Sequence, residues 1–391
     1  MVDLKKEIKL SELMRRPKKA QRPSIRPRST GASRRPKQKK TQEIIGLKIG
    51  ASQLAAARIL NEGGSAKLMQ LARQPLPPGI VIAGDVRDVP ALGWALDEFF
   101  TENKLPRKGI RLGIGTNRVG VRAIEVEGIA DEHQLENAVR FRAHEALSIP
   151  IDEAVLDYHV VKETVDDAGA VSRRVILAAA YREPIDQYVE ACRIAKLELF
   201  GVDLEAFALL RAVTSGDTHG EQPAAAVVAL ALGHDRATLA ISDGNLCDFT
   251  RVLAWGGGKL DAAIGRDLGL TEEESNEIKH ELFLGDEVRD GDDPRTERAR
   301  KALQPEIQTL ARELVASLQF YQSQEGSLPI SEILVTGGTS RLPGLIEELE
   351  RLTRARVRAA DPLASVLVAR GVGDRDDLAS LATAIGLGIE R

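Results

Sequence analysis

The chain has 391 residues, of which 43% are hydrophobic, so it is long enough for two domains or one fold of two lobes. Its longest apolar run, AAAVVALAL, is far shorter than the roughly 18–20 residues that span a bilayer, and the N-terminus lacks the apolar core of a signal peptide. Two cysteines are too few for a disulfide framework and the six histidines show no metal-ligand spacing. We therefore expect a cytoplasmic protein without a metal site of its own.

The charge is distributed unevenly along the chain. Residues 1–42, the basic head, carry 15 Lys and Arg against 3 Asp and Glu, whereas the remaining residues carry 39 against 55. The head has almost no apolar residues after Met14, so its composition predicts disorder. A solvated tail and attraction to an anionic membrane surface, worth about 1 kcal/mol per basic residue, both stay open. Without aromatic residues to stack on bases, nucleic acid is not an expected partner.

A pattern of strands and helices begins at Ile44 and then recurs. The first copy predicts the strands IIGLKIG, LAAARIL and KLMQLARQPL, an amphipathic helix over residues 88–105, and the strand IRLGIG. The second copy predicts the strands AAAVVALALG, ATLAIS and CDFTRVLAW, a helix over residues 306–324, and the strand SEILVTGG. Such a duplication predicts two sheets that face each other across a cleft, with ligands at the carboxyl ends of the strands.

Three further stretches add detail to this pattern. VGVRAIEVEG, a helix and RRVILAAAY predict a small α+β insert within the first half. In ILVTGGTSRLPGL, Gly337 and Gly338 allow the backbone to approach a planar ring closely. After the second hairpin, LAWGGGKLDAAIGRDLGLTEEESNEIK carries Lys279 at a spacing that suits a contact with adenine or ribose.

These features resemble the actin, sugar kinase and heat-shock chaperone superfamily and, within it, the PilM family of type IV pilus assembly. The specific matches are EALSIP with LDYHVV, then GVDLEAFALLRA, TRVLAWGGGKLDAAIGRDLGLT and ILVTGGTSRLPGL. The likeness to the cell-division protein FtsA is more distant, because no amphipathic anchor helix follows GLGIER. The resemblance implies an α/β, duplicated actin-like (ribonuclease H-like) fold with a small α+β (SHS2-like) insert.

The resemblance also implies the division into subdomains. The expected first main subdomain comprises residues 43–117 and 181–222, with the insert at 118–180. The second main subdomain is expected at 223–258 and 302–391, with an upper-lobe subdomain at 259–301.

By the same resemblance, the expected partner is the N-terminal cytoplasmic tail of a PilN-type inner-membrane protein. The tail would lie between the first main subdomain and the insert. The expected groove residues are Val119, Val121, Arg122, Arg140, Phe141 and Glu145. As alternatives, Arg140 and Glu145 form a solvated helix face and Phe141 is part of the core.

The expected nucleotide site lacks the two carboxylates with which the superfamily holds hydrated Mg²⁺. The resemblance places them at Lys48 and Ala231. The surrounding residues expected to contact ATP remain: Gly50, Ala51, Ser52, Gly233, His234, Thr238, Lys279, Gly337, Gly338 and Thr339. We therefore predict that ATP hydrolysis is inefficient, while ATP binding stays open.

The leading hypothesis is a scaffold, peripheral to the inner face of the plasma membrane, of a type IV pilus or a related type II secretion system. The alternative is an active ATPase or a filament-forming protein of the same fold. Homo-oligomerisation stays open.

Overall fold

The computed structural model describes residues 41–129, 131–147, 149–165, 171–214, 225–243, 246–285, 294–324, 326–372 and 377–390. The predictions for residues 1–40 of the basic head lie outside these ranges. Among the described residues, no helix is both long enough and apolar enough to cross a bilayer.

Sixteen strands are present in the described ranges: β1 (Gln42–Ile49), β2 (Gln53–Glu62), β3 (Ser65–Pro75), β4 (Val81–Ile82), β5 (Asp85–Val86), β6 (Ile110–Ile114), β7 (Val119–Glu127), β8 (Ala154–Val165), β9 (Val171–Tyr181), β10 (Leu199–Leu204), β11 (Ala226–Leu232), β12 (Ala237–Ser242), β13 (Cys247–Leu253), β14 (Ile330–Thr336), β15 (Val357–Ala359) and β16 (Leu367–Val368).

Nine α-helices accompany them in the same ranges: α1 (Val89–Glu102), α2 (Glu132–Ala146), α3 (Arg182–Ile194), α4 (Glu205–Val213), α5 (Gly257–Leu268), α6 (Glu272–Glu281), α7 (Pro294–Gln322), α8 (Leu345–Thr353) and α9 (Leu378–Gly388).

The predicted duplication is confirmed by the sheet topology. One sheet has the order β10-β6-β1-β2-β3-β16 and the other has the order β13-β12-β11-β14-β15. In each, the first strand of the repeat pairs antiparallel with the next strand and parallel with the strand that follows the helix. Each first strand is buried on both faces, as central strands between helices are.

Two hydrophobic cores stabilise the two lobes. The first lies between the β1 sheet and helices α1 and α3, where Phe99 and Phe100 pack edge to face with ring centroids 5.8 Å apart. The second lies between the β11 sheet and helices α5, α7 and α8, and it includes Trp255 and Tyr321. The apolar faces predicted for residues 88–105 and 306–324 are the faces that these helices bury.

The C-terminal segment packs against the first lobe, which differs from the expected boundaries. Strand β16 pairs with β3, and α9 packs against β1, β2 and α4. Side chains are excluded at the closest approaches: a Cβ on Gly46 would lie 2.1 Å from the carbonyl oxygen of Ala384, and one on Gly386 would lie 1.7 Å from that of Ala208. The expected second main subdomain included all of 302–391; in the structure this segment contributes β14 and β15 to the second sheet and β16 to the first. Its other limit, between residues 301 and 302, falls inside α7.

The insert is a three-stranded sheet of order β7-β9-β8 with α2 on one face. That face buries Val126, Leu177 and the α2 residue Val139 in a small core. The opposite face carries Val121 and Ala178, which pack against Leu204 at the end of β10. The insert is therefore attached to the first lobe through one face, while α2 lies on the other.

Asp157 lies on the attached face of the insert, because it pairs across the ladder with Ala178. Its side chain is only 3% exposed. One carboxylate oxygen accepts a hydrogen bond of 2.8 Å from the backbone N–H of Tyr158, while the other is buried without a partner among the described residues. Burial raises the pKa of Asp157 to about 6, against a smaller opposing effect of the Tyr158 hydrogen bond.

The buried carboxyl group should make the insert pH-sensitive. Between the ordinary pKa of 3.8 and about 6, the folded chain binds more protons than the unfolded chain, so the free energy of unfolding falls as pH rises. Asp157→Asn should flatten this dependence and add roughly 1 kcal/mol of stability at neutral pH, since it removes a poorly solvated charge. Urea unfolding at about pH 5 and about pH 8 measures both effects. The exposed Asp152→Asn is the control, and equal pH slopes for Asp157→Asn and the unaltered chain would contradict the prediction.

Candidate functional site

Two similar turns end the first strand of each repeat and face the cleft. In the first turn, residues 50–52, the backbone N–H of Gly50 donates to the carbonyl of Gln53 at 2.9 Å. In the second turn, residues 233–236, the N–H of Gly233 donates to the carbonyl of Arg236 at 3.0 Å. Since each turn reverses a hairpin with the same hydrogen bond, the duplication extends to the two predicted phosphate loops.

The second turn, the N-terminus of α5 and the turn after β14 lie together. The N–H groups of Gly257 and Gly258 donate to the carbonyls of Gly233 and His234 at 2.9 and 2.7 Å. The hydroxyl of Thr339 donates to the carbonyl of Gly233 at 2.9 Å. The sequence-predicted Gly233, His234 and Thr339 are therefore neighbours in the fold.

The predicted glycine pair after β14 has two distinct environments. Gly337 has φ of +93°, and a Cβ there would lie 2.3 Å from the carbonyl oxygen of Leu232, so this position requires glycine. A Cβ on Gly338 would meet nothing within 4 Å. Gly338 is therefore the position at which a planar group has room to approach. Thr238, by contrast, is buried within β12 opposite Ala231.

Lys279 is buried beneath this region. Its ammonium lies 2.7 and 2.8 Å from the two carboxylate oxygens of Asp261 and 3.4 Å from the carbonyl oxygen of Gly257. Asp261 is fully buried, so the pair joins α6 to the first turns of α5 inside the protein. The sequence singled out the lysine but not its carboxylate partner.

A cavity of about 480 Å³ opens beside these residues. This volume is within the roughly 300–1,000 Å³ of small-molecule sites. Its lining includes His234, Asp235, Lys259, Asp261, Gly265 and Arg266. A nucleoside fits this volume, and Lys259 with Arg266 supplies positive charge at its wall.

Four charged residues, the cleft cluster, lie between the two turns: Lys48, Glu205, Asp235 and Arg236. The Arg236 guanidinium lies 3.2 Å from a carboxylate oxygen of Glu205 and 3.3 Å from one of Asp235. It also donates to the carbonyl of Ile49 at 3.3 Å. Sequence reasoning missed Glu205 and Arg236, although Glu205 is part of the GVDLEAFALLRA motif and Arg236 closes the second turn.

Lys48 is half-buried at the end of β1. Burial lowers the pKa of Lys48 and Arg236 lowers it further, while Glu205 and Asp235 oppose this by favouring the ammonium. No hydrogen bond or ion pair of this ammonium occurs within the described part of the chain. Among the described residues, the Lys48 side chain therefore faces the cleft without a close partner.

The six expected groove residues lie on different surfaces of the insert. Val119 and Val121 face the first lobe, and Arg122, one position further along β7, lies on the α2 side of the sheet. Arg140, Phe141 and Glu145 are exposed on α2, with Phe141 67% exposed. The structure does not bring the six together at one groove, and it excludes Phe141 from the core.

A second cavity of about 590 Å³, the junction cavity, lies where the insert meets helices α1 and α3. Its lining includes Val89, Arg118, Glu153, Tyr181, Asp186 and Gln187. The Arg118 guanidinium lies 4.9 Å from the centroid of the Tyr181 ring, which is a cation–π contact. The sequence analysis named none of these residues.

A comparison with known families matches residues 46–391 to the type IV pilus assembly protein PilM. The chain belongs to this family. A solved structure described as a PilM-PilN type IV pilus biogenesis complex is similar, with 27% sequence identity, 89% of this chain and 98% of that chain covered, and a TM-score of 0.71. The chain is thus a PilM-family protein with an actin-like fold.

The actin-like fold is also found in more distant relatives of known structure. MreB5 of Spiroplasma citri bound to ADP is 11% identical with a TM-score of 0.50, and it covers 88% of this chain and 94% of its own. The same protein bound to AMPPNP is 11% identical with a TM-score of 0.51, with 89% and 95% covered. At this identity the likeness concerns the fold alone.

This PilM-family chain does not offer Mg²⁺ the ligands that its fold usually supplies. Lys48 and Ala231 carry no carboxylate, and the nearby carboxylates of Glu205 and Asp235 are paired with Arg236. Within the described ranges, no three His, Cys, Asp or Glu side chains gather in a metal-binding group. The residues therefore fit a nucleoside in the cavity but do not fit a divalent ion between the turns.

Proposed function

We propose that this chain is a cytoplasmic scaffold of a type IV pilus, or of a related type II secretion system, which binds the cytoplasmic tail of a PilN-type membrane protein. The observation that carries the proposal is the likeness to the PilM-PilN complex over 89% of the chain. The scaffold is held at the inner face of the membrane by that tail. The basic head adds attraction to anionic lipid, and two weak attachments reinforce each other through effective concentration.

We assign the tail to the junction cavity. The cavity lies between the insert and the first lobe, its volume suits a few side chains of an extended peptide, and Tyr181 offers an aromatic wall. Aromatic and arginine side chains in desolvated pockets dominate binding energy at interfaces. The α2 residues Arg140, Phe141 and Glu145 lie outside this site in the proposal, and Val119 and Val121 pack against the first lobe.

The cleft acts in this proposal as a nucleotide site without efficient turnover. Its contacts to ATP are made by Gly233, His234, Gly338 and Thr339, and Gly50, Ala51 and Ser52 join them only when the ion pairs of Arg236 between the two turns open. Lys279 acts indirectly, because it is buried and pairs with Asp261 at the cavity wall, and Gly337 and Thr238 are buried within the turn and the sheet beside it. A scaffold needs no turnover, and the loss of both metal-holding carboxylates is consistent with such a role.

A peptide titration tests the tail site. Asp186→Trp places an indole in the junction cavity from an exposed position on α3, so it should disturb the fold little. We expect affinity for a synthetic PilN-type tail to fall on the order of tenfold or more by isothermal titration calorimetry. Phe141→Ala, on the far side of the insert, is the control and should leave affinity unchanged. The tail would have to bind elsewhere if Asp186→Trp kept full affinity for the peptide, or if Phe141→Ala lost affinity for it.

A further inference from the structure

We propose that Arg236 latches the two lobes together, so that the cleft of this chain stays closed without a bound nucleotide. The inference does not depend on the partner or on membrane recruitment. It concerns the cleft cluster, which joins the second turn of one lobe to three separate segments of the other.

The first two contacts are made by the guanidinium itself. It donates to the carbonyl of Ile49, where β1 ends, at 3.3 Å, and it lies 3.2 Å from Glu205 at the start of α4. The end of β1 belongs to the first sheet, and α4 directly follows β10 of that sheet, while it also packs against β11, β12 and β13 of the second sheet. One guanidinium nitrogen of the second turn therefore contacts two separate segments, the end of β1 and the start of α4.

The third contact comes from the neighbouring residue. Asp235 accepts a hydrogen bond of 2.6 Å from the backbone N–H of Ala83, in the turn between β4 and β5. The other oxygen of the Asp235 carboxylate lies 3.3 Å from the Arg236 guanidinium. The carboxylate is therefore held between the Ala83 amide and the guanidinium. A planar guanidinium with several donors suits such a bridge better than a single ammonium.

Burial makes these contacts strong and their loss costly. Arg236 is 6% exposed and Glu205 is 2% exposed, so water does not screen their attraction. Burial by itself lowers the pKa of Arg236, but Glu205, Tyr188 and Asp235 outweigh it and raise the pKa, so the guanidinium stays charged. Its Nε is left without a partner among the described residues, so the latch does not satisfy the whole group.

The latch occupies the place where phosphate and metal would otherwise join the two turns. The positive charge of Arg236 is neutralised by Glu205 and Asp235, so an arriving phosphate meets two carboxylates as well as the guanidinium. A nucleotide that bridged both turns would have to break these ion pairs. In this chain, therefore, Arg236 with Glu205 and Asp235 closes the cleft in place of a metal-bound nucleotide.

Hydrogen–deuterium exchange of the full-length protein without nucleotide tests the latch. In Arg236→Gln, exchange of the amides in residues 49–53 and 233–236 should rise on the order of tenfold, because opening the cleft exposes both turns. The matched control is Arg358→Gln, which breaks an ion pair with Glu332 inside the second sheet and should leave these amides unchanged. Adding ATP with Mg²⁺ to the unaltered protein should change the exchange of residues 49–53 less than about twofold, because the first turn is already held by Arg236.

Two more variants keep the test decisive if Arg236→Gln folds poorly. The double variant Arg236→Gln with Glu205→Gln removes the buried carboxylate together with its cation and should be open but folded. Arg236→Lys keeps the positive charge, but an ammonium cannot make all the hydrogen bonds of a planar guanidinium. Amide exchange in the two turns should therefore lie between that of the unaltered protein and that of Arg236→Gln. Normal protection of both turns in any foldable variant would overturn the latch. So would a fall of more than about twofold in the exchange of residues 49–53 of the unaltered protein when ATP and Mg²⁺ are added.

Discussion

Replacing Lys279 with methionine should destabilise the folded chain by about 3–5 kcal/mol, because it leaves the fully buried carboxylate of Asp261 without its cation. The two side chains join α6 to α5 at the wall of the cavity that His234 and Asp261 line. The same change should therefore widen that cavity. Urea or thermal unfolding measures the effect. It is a large fraction of the roughly 5–15 kcal/mol that a typical domain has in total.

Two comparisons separate the buried charge from the loss of a lysine as such. The double variant Lys279→Met with Asp261→Asn removes both charges and should recover most of the lost stability. Lys301→Met removes a lysine from an exposed i,i+4 pair with Glu297 and should cost less than about 1 kcal/mol. If Lys279→Met and Lys301→Met cost the same, the buried pair does not stabilise the fold.

Restoring both missing carboxylates, with Lys48→Asp and Ala231→Asp together, should raise Mg²⁺-dependent ATP hydrolysis on the order of 100-fold. Two carboxylates at the ends of β1 and β11 would hold Mg²⁺ in place between the turns. The expected gain equals the rate loss of about 100-fold that misplacing the reacting groups by about 1 Å causes. A coupled phosphate-release assay with and without Mg²⁺ measures the gain. The gain should be absent without Mg²⁺, because the new carboxylates act through the ion.

A matched variant controls for size and for the removal of Lys48. Lys48→Asn with Ala231→Asn places side chains of the same shape without charge and should give no gain. The prediction of an inefficient site fails if the unaltered chain already hydrolyses ATP at about 1 per second, the low end of typical enzymes. It also fails if the variant with Lys48→Asn and Ala231→Asn hydrolyses ATP as fast as the variant with Lys48→Asp and Ala231→Asp.

The sequence was informative wherever function depends on local pattern. The alternating and helical periods predicted both copies of the repeat, and the matching pairing of β1 and β11 confirms them. The absence of a carboxylate at Lys48 and Ala231 is a property of single positions in recognisable strands, so it needed no structure. Gly233, His234 and Thr339 were predicted for the same reason, since each follows a strand that the pattern identified; they are neighbours in the fold, and their contact with ATP stays a prediction.

Other features depended on distances between segments far apart in the chain. The α9 helix packs against the first lobe because Gly46 and Gly386 permit backbone contact, and no local period encodes that destination. The groove residues of the insert were taken from one stretch of sequence, yet a strand turns successive side chains to opposite faces, so Val121 and Arg122 point apart.

By itself, therefore, the sequence determined the repeated fold, the insert, the family and the absence of a carboxylate at positions 48 and 231. Only the tertiary structure decided which charges meet: Arg236 with Glu205 across the cleft, and Lys279 with Asp261 beneath it. The physical reason is that an ion pair depends on separation and burial in space. Residues that are 31 and 18 positions apart in the chain reveal neither until the chain is folded.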